Sequence, residues 1–171
     1  METTRLEDHP IEDRLAALEA RVQMLEDQLA VQQLLNRWGP AVDTGESAAA
    51  AALWTEDGVL QSEISYLDGP AGVAAMVESD GQQDLIRQGC AHVQAFPLIT
   101  VDGDRATATG YSRVYLHRDD ASYEVWRVSA NRWEFARTTN GWRATRRTNH
   151  VIDGGPEARE LLRGGLAEND G

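Results

Sequence analysis

The chain has 171 residues, 42% hydrophobic and 26% charged, which suits one domain with a sizeable core and room for an enclosed pocket. A formal net charge of -12 argues against nucleic acid and against an anionic membrane surface, both of which reward clustered Lys and Arg. The single cysteine, Cys90, excludes an internal disulfide and a multi-cysteine zinc site.

Met1 to Pro10, which includes His9, is acidic and lacks the apolar core of a signal peptide. No run nears the roughly 18 apolar residues that a membrane span needs, so a cytoplasmic protein is expected. From Pro10 onward Ile11, Leu15, Leu18, Val22, Leu25 and Leu29 recur at alternating spacings of four and three, a heptad seam. With Leu15, Val22 and Leu29 at position a, Arg14 and Arg21 fall at g and Glu19 and Glu26 at e, so a parallel partner would set arginine against glutamate. The seam is short for an independent coiled coil. It suggests self-association assisted by contacts elsewhere, the alternative being a helix laid on its own domain.

After Leu29 the apolar phase moves to Val31, Leu34, Leu35, Trp38 and Val42, a stripe suited to a sheet. Pro40 is expected to kink or end the helix near Asn36 to Gly39. An alanine-rich helix follows from about Ser47 to Trp54, then a strand from about Val59 to Tyr66. Pro70 opens a helical stretch that reaches about Arg87, interrupted near Asp80 and Gly81. The remainder reads as a meander: Cys90 to Val101, Arg105 to Arg118, Tyr123 to Arg137 and Trp142 to Ile152, with turns at Asp102–Asp104 and Asn140–Gly141. A last helix covers about Glu157 to Arg163. Helices first and antiparallel strands afterwards make an α+β domain, helices on one face of a curved sheet. The division is an N-terminal helical extension (1–30), one domain (31–163) and a disordered tail (164–171).

Three residues at landmarks of this plan carry the chemistry. Asp43 ends the first long helix, His92 lies early in a strand, and His117 lies late in the next. An acid that fixes a histidine's tautomer makes a general base. Each also has a bland reading: Asp43, before Thr-Gly, suits a helix end or turn, His92 a satisfied core histidine, and His117 a surface position beside Arg118, Asp119 and Asp120. Alternation puts Cys90, His92, Gln94 and Phe96 on one strand face, and Tyr111, Arg113, Tyr115 and His117 on one face of the next. The intervening turn sets Ala91 to Ile99 beside Tyr115 to Thr107, which brings His117 to the level of His92 or just beyond. Cys90 reads as a small buried hydrophobe rather than a nucleophile. Trp38 and Trp54, on helices expected to wall the domain, shape an aromatic pocket. Arg147, Asn149 and His150 line its mouth or an interface. Scattered histidines without ligand spacing give no metal site.

The segment Leu34 to Leu60, LLNRWGPAVDTGESAAAAALWTEDGVL, together with VDGDRA (Val101 to Ala106) and NGWRATRR (Asn140 to Arg147), resembles the SnoaL-like branch of the NTF2-like superfamily. The match in order and spacing covers roughly Val31 to Ile152. The resemblance implies a cystatin-like cone, a curved antiparallel sheet wrapped around helices, with the heptad helix as an added extension. Relatives of this branch, such as scytalone dehydratase, bile-acid dehydratase and lindane dehydrochlorinase, are cofactor-free lyases that use an Asp–His dyad. It therefore implies no cofactor, the acid at Asp43, the base at His92 with Cys90 flanking it, and His117 as a second pocket histidine. Two positions depart from the pattern. Val42 stands where a dehydratase has tyrosine, and Trp38 where relatives have tyrosine or lysine, which leaves Tyr66, Tyr111 or Tyr115 to supply a hydroxyl.

The expected function is a cofactor-independent lyase or isomerase acting on a small, mostly apolar hydroxylated or carbonyl compound. The rivals are a polyketide cyclase-like enzyme and a non-catalytic binding or assembly module of the same fold. The expected partners are a small hydrophobic metabolite and further copies of the chain, a trimer by analogy with the lyases or a dimer by analogy with other NTF2-like proteins.

Overall fold

A computed structural model describes residues 10–63 and 65–167; His9 and residues 168–171 of the expected tail lie outside the described residues. One helix, α1 (Ile11–Asp43), runs without interruption for 33 residues, about 50 Å at the usual rise. Its first half exposes the heptad seam, with Ile11, Leu15, Leu18, Val22, Leu25 and Leu29 all more than half accessible. Its second half buries Val31, Leu34, Leu35, Trp38, Ala41 and Val42 in the core. Pro40 does not break the helix. Only one turn remains after it, and that turn is closed by Thr44, whose N–H and hydroxyl both donate to the Pro40 carbonyl at 3.0 and 2.7 Å. Core contacts of Trp38, Ala41 and Val42 compensate for the bond that proline cannot donate.

Beyond α1 come α2 (Ser47–Ala51), β1 (Trp54–Gln61), β2 (Tyr66–Asp68), α3 (Gly69–Glu78), α4 (Asp80–Gln88), β3 (Cys90–Gln94), β4 (Leu98–Asp102), β5 (Arg105–His117), β6 (Tyr123–Thr138), β7 (Gly141–Val151) and α5 (Pro156–Ala167). Sheet order is β2-β1-β7-β6-β5-β3, with β4 also on β5. The class is α+β with a curved sheet, as expected, and the sheet is unclosed. The sheet is antiparallel except where β1 runs parallel to β7, which makes it mixed. Both hairpin turns fall where the sequence puts them, with Gly103 and Gly141 at positive φ.

Three segments differ from expectation. Trp54 opens a strand instead of ending a helix, and the single strand expected from Val59 to Tyr66 is a β1–β2 hairpin. The long strand expected from Cys90 is broken at Ala95–Pro97 into β3 and β4, both paired with β5. Pro97 has no N–H for the ladder and sits against Gly110, so Phe96 turns out to solvent and does not share the face of His92. At the C-terminus, α5 continues through Gly164 to Ala167, where the sequence suggested disorder. Gly165 rests on Thr109 so closely that a Cβ would lie 2.4 Å from it, and that packing orders the last turn.

Trp38, Trp54 and Trp133 meet at 5.6–5.8 Å between ring centroids, and Phe135 stacks on Trp133. This aromatic cluster fills the inner end between α1 and the sheet. Toward β3 and β6, beyond this cluster, a cavity stays open. No helix among the described residues is long and apolar enough to cross a membrane.

Candidate active site

Asp43 is the last residue of α1, and β3 crosses the helix just beside it. Gly39, one turn earlier, permits that crossing: a Cβ there would lie 2.1 Å from the His92 carbonyl oxygen. With strand and helix in contact, the Asp43 carboxylate reaches both ends of His92. Oδ2 accepts the His92 backbone N–H at 2.6 Å, and Oδ1 lies 2.5 Å from Nδ1. Cys90 adds its thiol to Oδ1 at 3.3 Å. With the carboxylate ionised, Nδ1 carries the ring proton and Nε2 is left as the lone-pair nitrogen. Both side chains are mostly buried, 21% and 16% accessible for His92 and Asp43, so the pair is shielded without being sealed.

His92 forms part of the wall of a cavity of about 250 Å³. Trp38, Val42, Leu60, Leu67, Met76 and Leu85 make one side apolar. The sheet side is polar, because inward positions of β5, β6 and β7 carry Ser112, Arg127, Ser129, Arg147 and Asn149. Asn131 organises this side. Its Oδ1 accepts from Arg147 Nε and Nη2 at 2.9 and 2.8 Å and from Asn149 Nδ2 at 2.8 Å, while its own Nδ2 donates to Ser112 Oγ at 2.7 Å. The Arg147 guanidinium lies over Trp133 and Trp38, at 4.7 and 5.2 Å from the ring centroids.

Of the residues singled out from sequence, Asp43, His92 and Cys90 come together, and Trp38, Val42 and Arg147 line the same cavity. His117 does not join them. His92 pairs with Val114, so the inward face of β5 is Ser112, Val114 and Leu116, while Tyr111, Tyr115 and His117 take the opposite face. His117 is exposed and stacks edge-on against Tyr123 at 5.3 Å. Tyr66 lies on β2 at 65% exposure, and Trp54 is buried behind Trp38. Among the described residues no tyrosine lines the cavity, so the hydroxyl expected from Tyr66, Tyr111 or Tyr115 is not supplied. The residues that sequence reasoning missed are Ser112, Arg127, Ser129 and Asn131. Their signal was polar side chains at inward positions of strands whose other inward residues, such as Ala108, Trp133 and Ala144, are core.

Burial first, then the charge and hydrogen bond of Asp43, push the Cys90 thiol up to about 12, so it stays protonated and is a donor rather than a nucleophile. Asp43, Cys90 and His92 are also the described group of donor atoms, all within 4.8 Å, that could hold a metal. Their spacing fits poorly. Two ligands on one tetrahedral zinc lie about 3.3 Å apart or more, given bonds of about 2.0–2.1 Å. The Asp43–His92 separation of 2.5 Å is that of a hydrogen bond.

A SnoaL-like domain family model matches residues 23–148. An NTF2-like protein with a cystatin-like fold from Novosphingobium aromaticivorans is 40% identical over 86% of this chain and 96% of its own, with a TM-score of 0.84. Two more distant structures share the fold. The hexachlorocyclohexane dehydrochlorinase LinA-type3 from Novosphingobium barchaimii has 16% identity, coverage of 77% and 90%, and a TM-score of 0.66. Aln2 from Streptomyces sp. has 16% identity, coverage of 75% and 92%, and a TM-score of 0.67. No curated protein matches the sequence.

Proposed function

This chain belongs to the SnoaL-like family, and on that footing we propose that it is a cofactor-independent lyase or isomerase acting on a small cyclic hydroxylated or carbonyl compound. The observation that carries the reading is the Asp43–His92 hydrogen bond at the wall of a half-apolar cavity. His92 Nε2 takes a proton from a substrate C–H. Asp43 keeps the ring in the tautomer that can do so and stabilises the imidazolium that results. The electron pair of that C–H bond moves toward the adjacent carbon as the leaving group departs with its own pair. The imidazolium can return its proton to a departing hydroxyl on the same face, and Arg147 stabilises negative charge that develops on an oxygen of the substrate. The fold similarity to a dehydrochlorinase adds support, because that protein too performs an elimination. A purely binding module has no need of a carboxylate that grips both the ring and the backbone of one pocket histidine.

The test is turnover of a panel of β-hydroxy and β-halo cyclic carbonyl compounds, followed by the absorbance of the conjugated product and by deuterium uptake from solvent. His92→Ala and Asp43→Asn are expected to lower kcat/KM by about 10²–10⁴-fold while leaving the thermal unfolding cooperative. A His92→Ala protein as active as the parent would sink the proposal.

A further inference from the structure

A net charge of -12 makes a cation-lined cavity unexpected in this molecule. Yet among the described residues no aspartate or glutamate lines the cavity, whereas the inward-facing Arg127 and Arg147 do, beside His92. Asp43 sits behind His92 and is engaged by it. Arg147 is buried, and its acceptor is the neutral amide oxygen of Asn131; no ion pair forms on it among the described residues. Arg127 is answered only in part. Glu63 stands 3.4 Å from its Nη2, but the same carboxylate accepts the Val151 N–H at 2.6 Å and faces His150 at 3.3 Å. The Arg127 Nε is buried with no acceptor. Burial, and then the like charge of Arg127, push Arg147 down from the usual arginine range. A desolvated cation is costly unless it is paired, and two neighbours sharing one acid leave one positive charge unanswered.

We propose that this charge is the seat of the ligand's own anion, and that the pocket takes a small cyclic carboxylate, its carboxylate on Arg147 and Arg127 and its ring against Trp38, Val42 and Met76. One unanswered charge calls for a monoanion. The planar guanidinium fork matches a planar carboxylate. A volume of about 250 Å³ is at the small end for a metabolite pocket, which suits a ligand of one or two rings. The inference rests on the lyase reading for the identity of the site, but it is measured by binding alone. Titration calorimetry with the full chain compares benzoate with benzamide, and cyclohexanecarboxylate with cyclohexanecarboxamide. Each acid is expected to bind about tenfold tighter than its amide, or more. Arg127→Gln should abolish that preference, Arg127→Lys should retain part of it, and His92→Ala should leave it intact. Equal affinity for acid and amide, no binding of either acid at millimolar concentration, or a preference that survives Arg127→Gln would each overturn the proposal. Failure of the lyase reading shows instead as turnover that ignores His92, which leaves the acid preference untouched.

A separate observation concerns α1. At about 100° per residue, the exposed seam from Ile11 to Leu29 lies roughly opposite the stripe of Asp27, Val31, Leu34 and Trp38 that faces the body. The seam therefore points away from its own domain and is free to pair. We infer that it seats a second copy of this chain in parallel. In that orientation Arg14 and Arg21 meet Glu19 and Glu26 of the second copy, whereas an antiparallel pair would set arginine on arginine and glutamate on glutamate. In a Cys90→Ser background, Ile11→Cys is expected to form a disulfide-linked dimer under mild oxidation, and Leu18→Asp to lower the mass measured by sedimentation equilibrium. A monomeric parent, a mass that ignores Leu18→Asp, or the absence of an Ile11→Cys crosslink would overturn the inference.

Discussion

Asp43 accepts three hydrogen bonds with two oxygens, and the thiol of Cys90 is the weakest donor among them. That arrangement sets how the cysteine reacts. Burial is the larger cause of its high pKa, and the Asp43 carboxylate adds to it by repelling a thiolate. A raised thiol pKa means the neutral form persists through the working range, so alkylation by iodoacetamide should be slow at pH 8 and accelerate only toward about 12. In Asp43→Asn the repulsion is gone while the burial stays. The pH at which alkylation accelerates should therefore move down without reaching that of a free thiol, as read from the rate of mass increase by pH. An unchanged profile in Asp43→Asn would mean that the carboxylate does not act on the sulfur. Asp43 and His92 were legible in the sequence because an acid at a helix end and a histidine early in a strand are landmarks. His117, Tyr111 and Tyr115 were misplaced for a definite reason. Alternation tells which residues share a face, but only the pairing of His92 with Val114 decides which face is inward.

At the scale of elements, the site depends on how closely α1 and β3 approach. Helix propensity alone makes Gly39→Ala favourable, by up to about 1 kcal/mol. The close contact decides otherwise, because the added Cβ would meet the His92 carbonyl oxygen at 2.1 Å, and a backbone oxygen inside a ladder cannot rotate away. The strand must shift, at a cost of about 1–3 kcal/mol typical of overpacking. We expect Gly39→Ala to lower the urea midpoint and, through the lost Asp43–His92 contact, to lower turnover more than stability alone explains. A variant as stable and as active as the parent would contradict the crossing geometry. Pro40, three positions before Asp43, was read from sequence as a break. A proline's cost depends on how much helix follows it, and here one turn remains, closed by Thr44. The split between β3 and β4 was hidden because Ala95 and Pro97 extend an apolar run that reads as one strand. Only the contact of Pro97 with Gly110 separates them.

For the whole molecule, the junction between the free and packed halves of α1 is held by a charge. Asp27 is buried, and it takes both Arg137 nitrogens at 2.8 and 2.7 Å and the Trp142 indole N–H at 3.1 Å, with the Arg137 guanidinium lying over the Trp142 ring. These contacts tie α1 to β6 and β7 across more than a hundred residues of sequence, and no local pattern in the chain announces them. The hydrogen bond from Arg137 is the main cause that holds the Asp27 carboxyl down at about 2, against an ordinary 3.8, with Trp142 assisting and burial opposing. A carboxyl whose folded pKa is depressed adds stability in full above its unfolded value and loses it as the pH falls through the folded one. The contribution should therefore be complete above about pH 4, decline between 3.8 and 2, and vanish below, with a size of roughly 2–3 kcal/mol. Asp27→Asn should be less stable than the parent by about that amount at pH 7, and the two urea-unfolding free energies should converge as the pH drops toward 2. Parallel pH profiles would show that the Asp27 charge is not what fastens α1. Convergence near pH 7 would place the titrating group elsewhere.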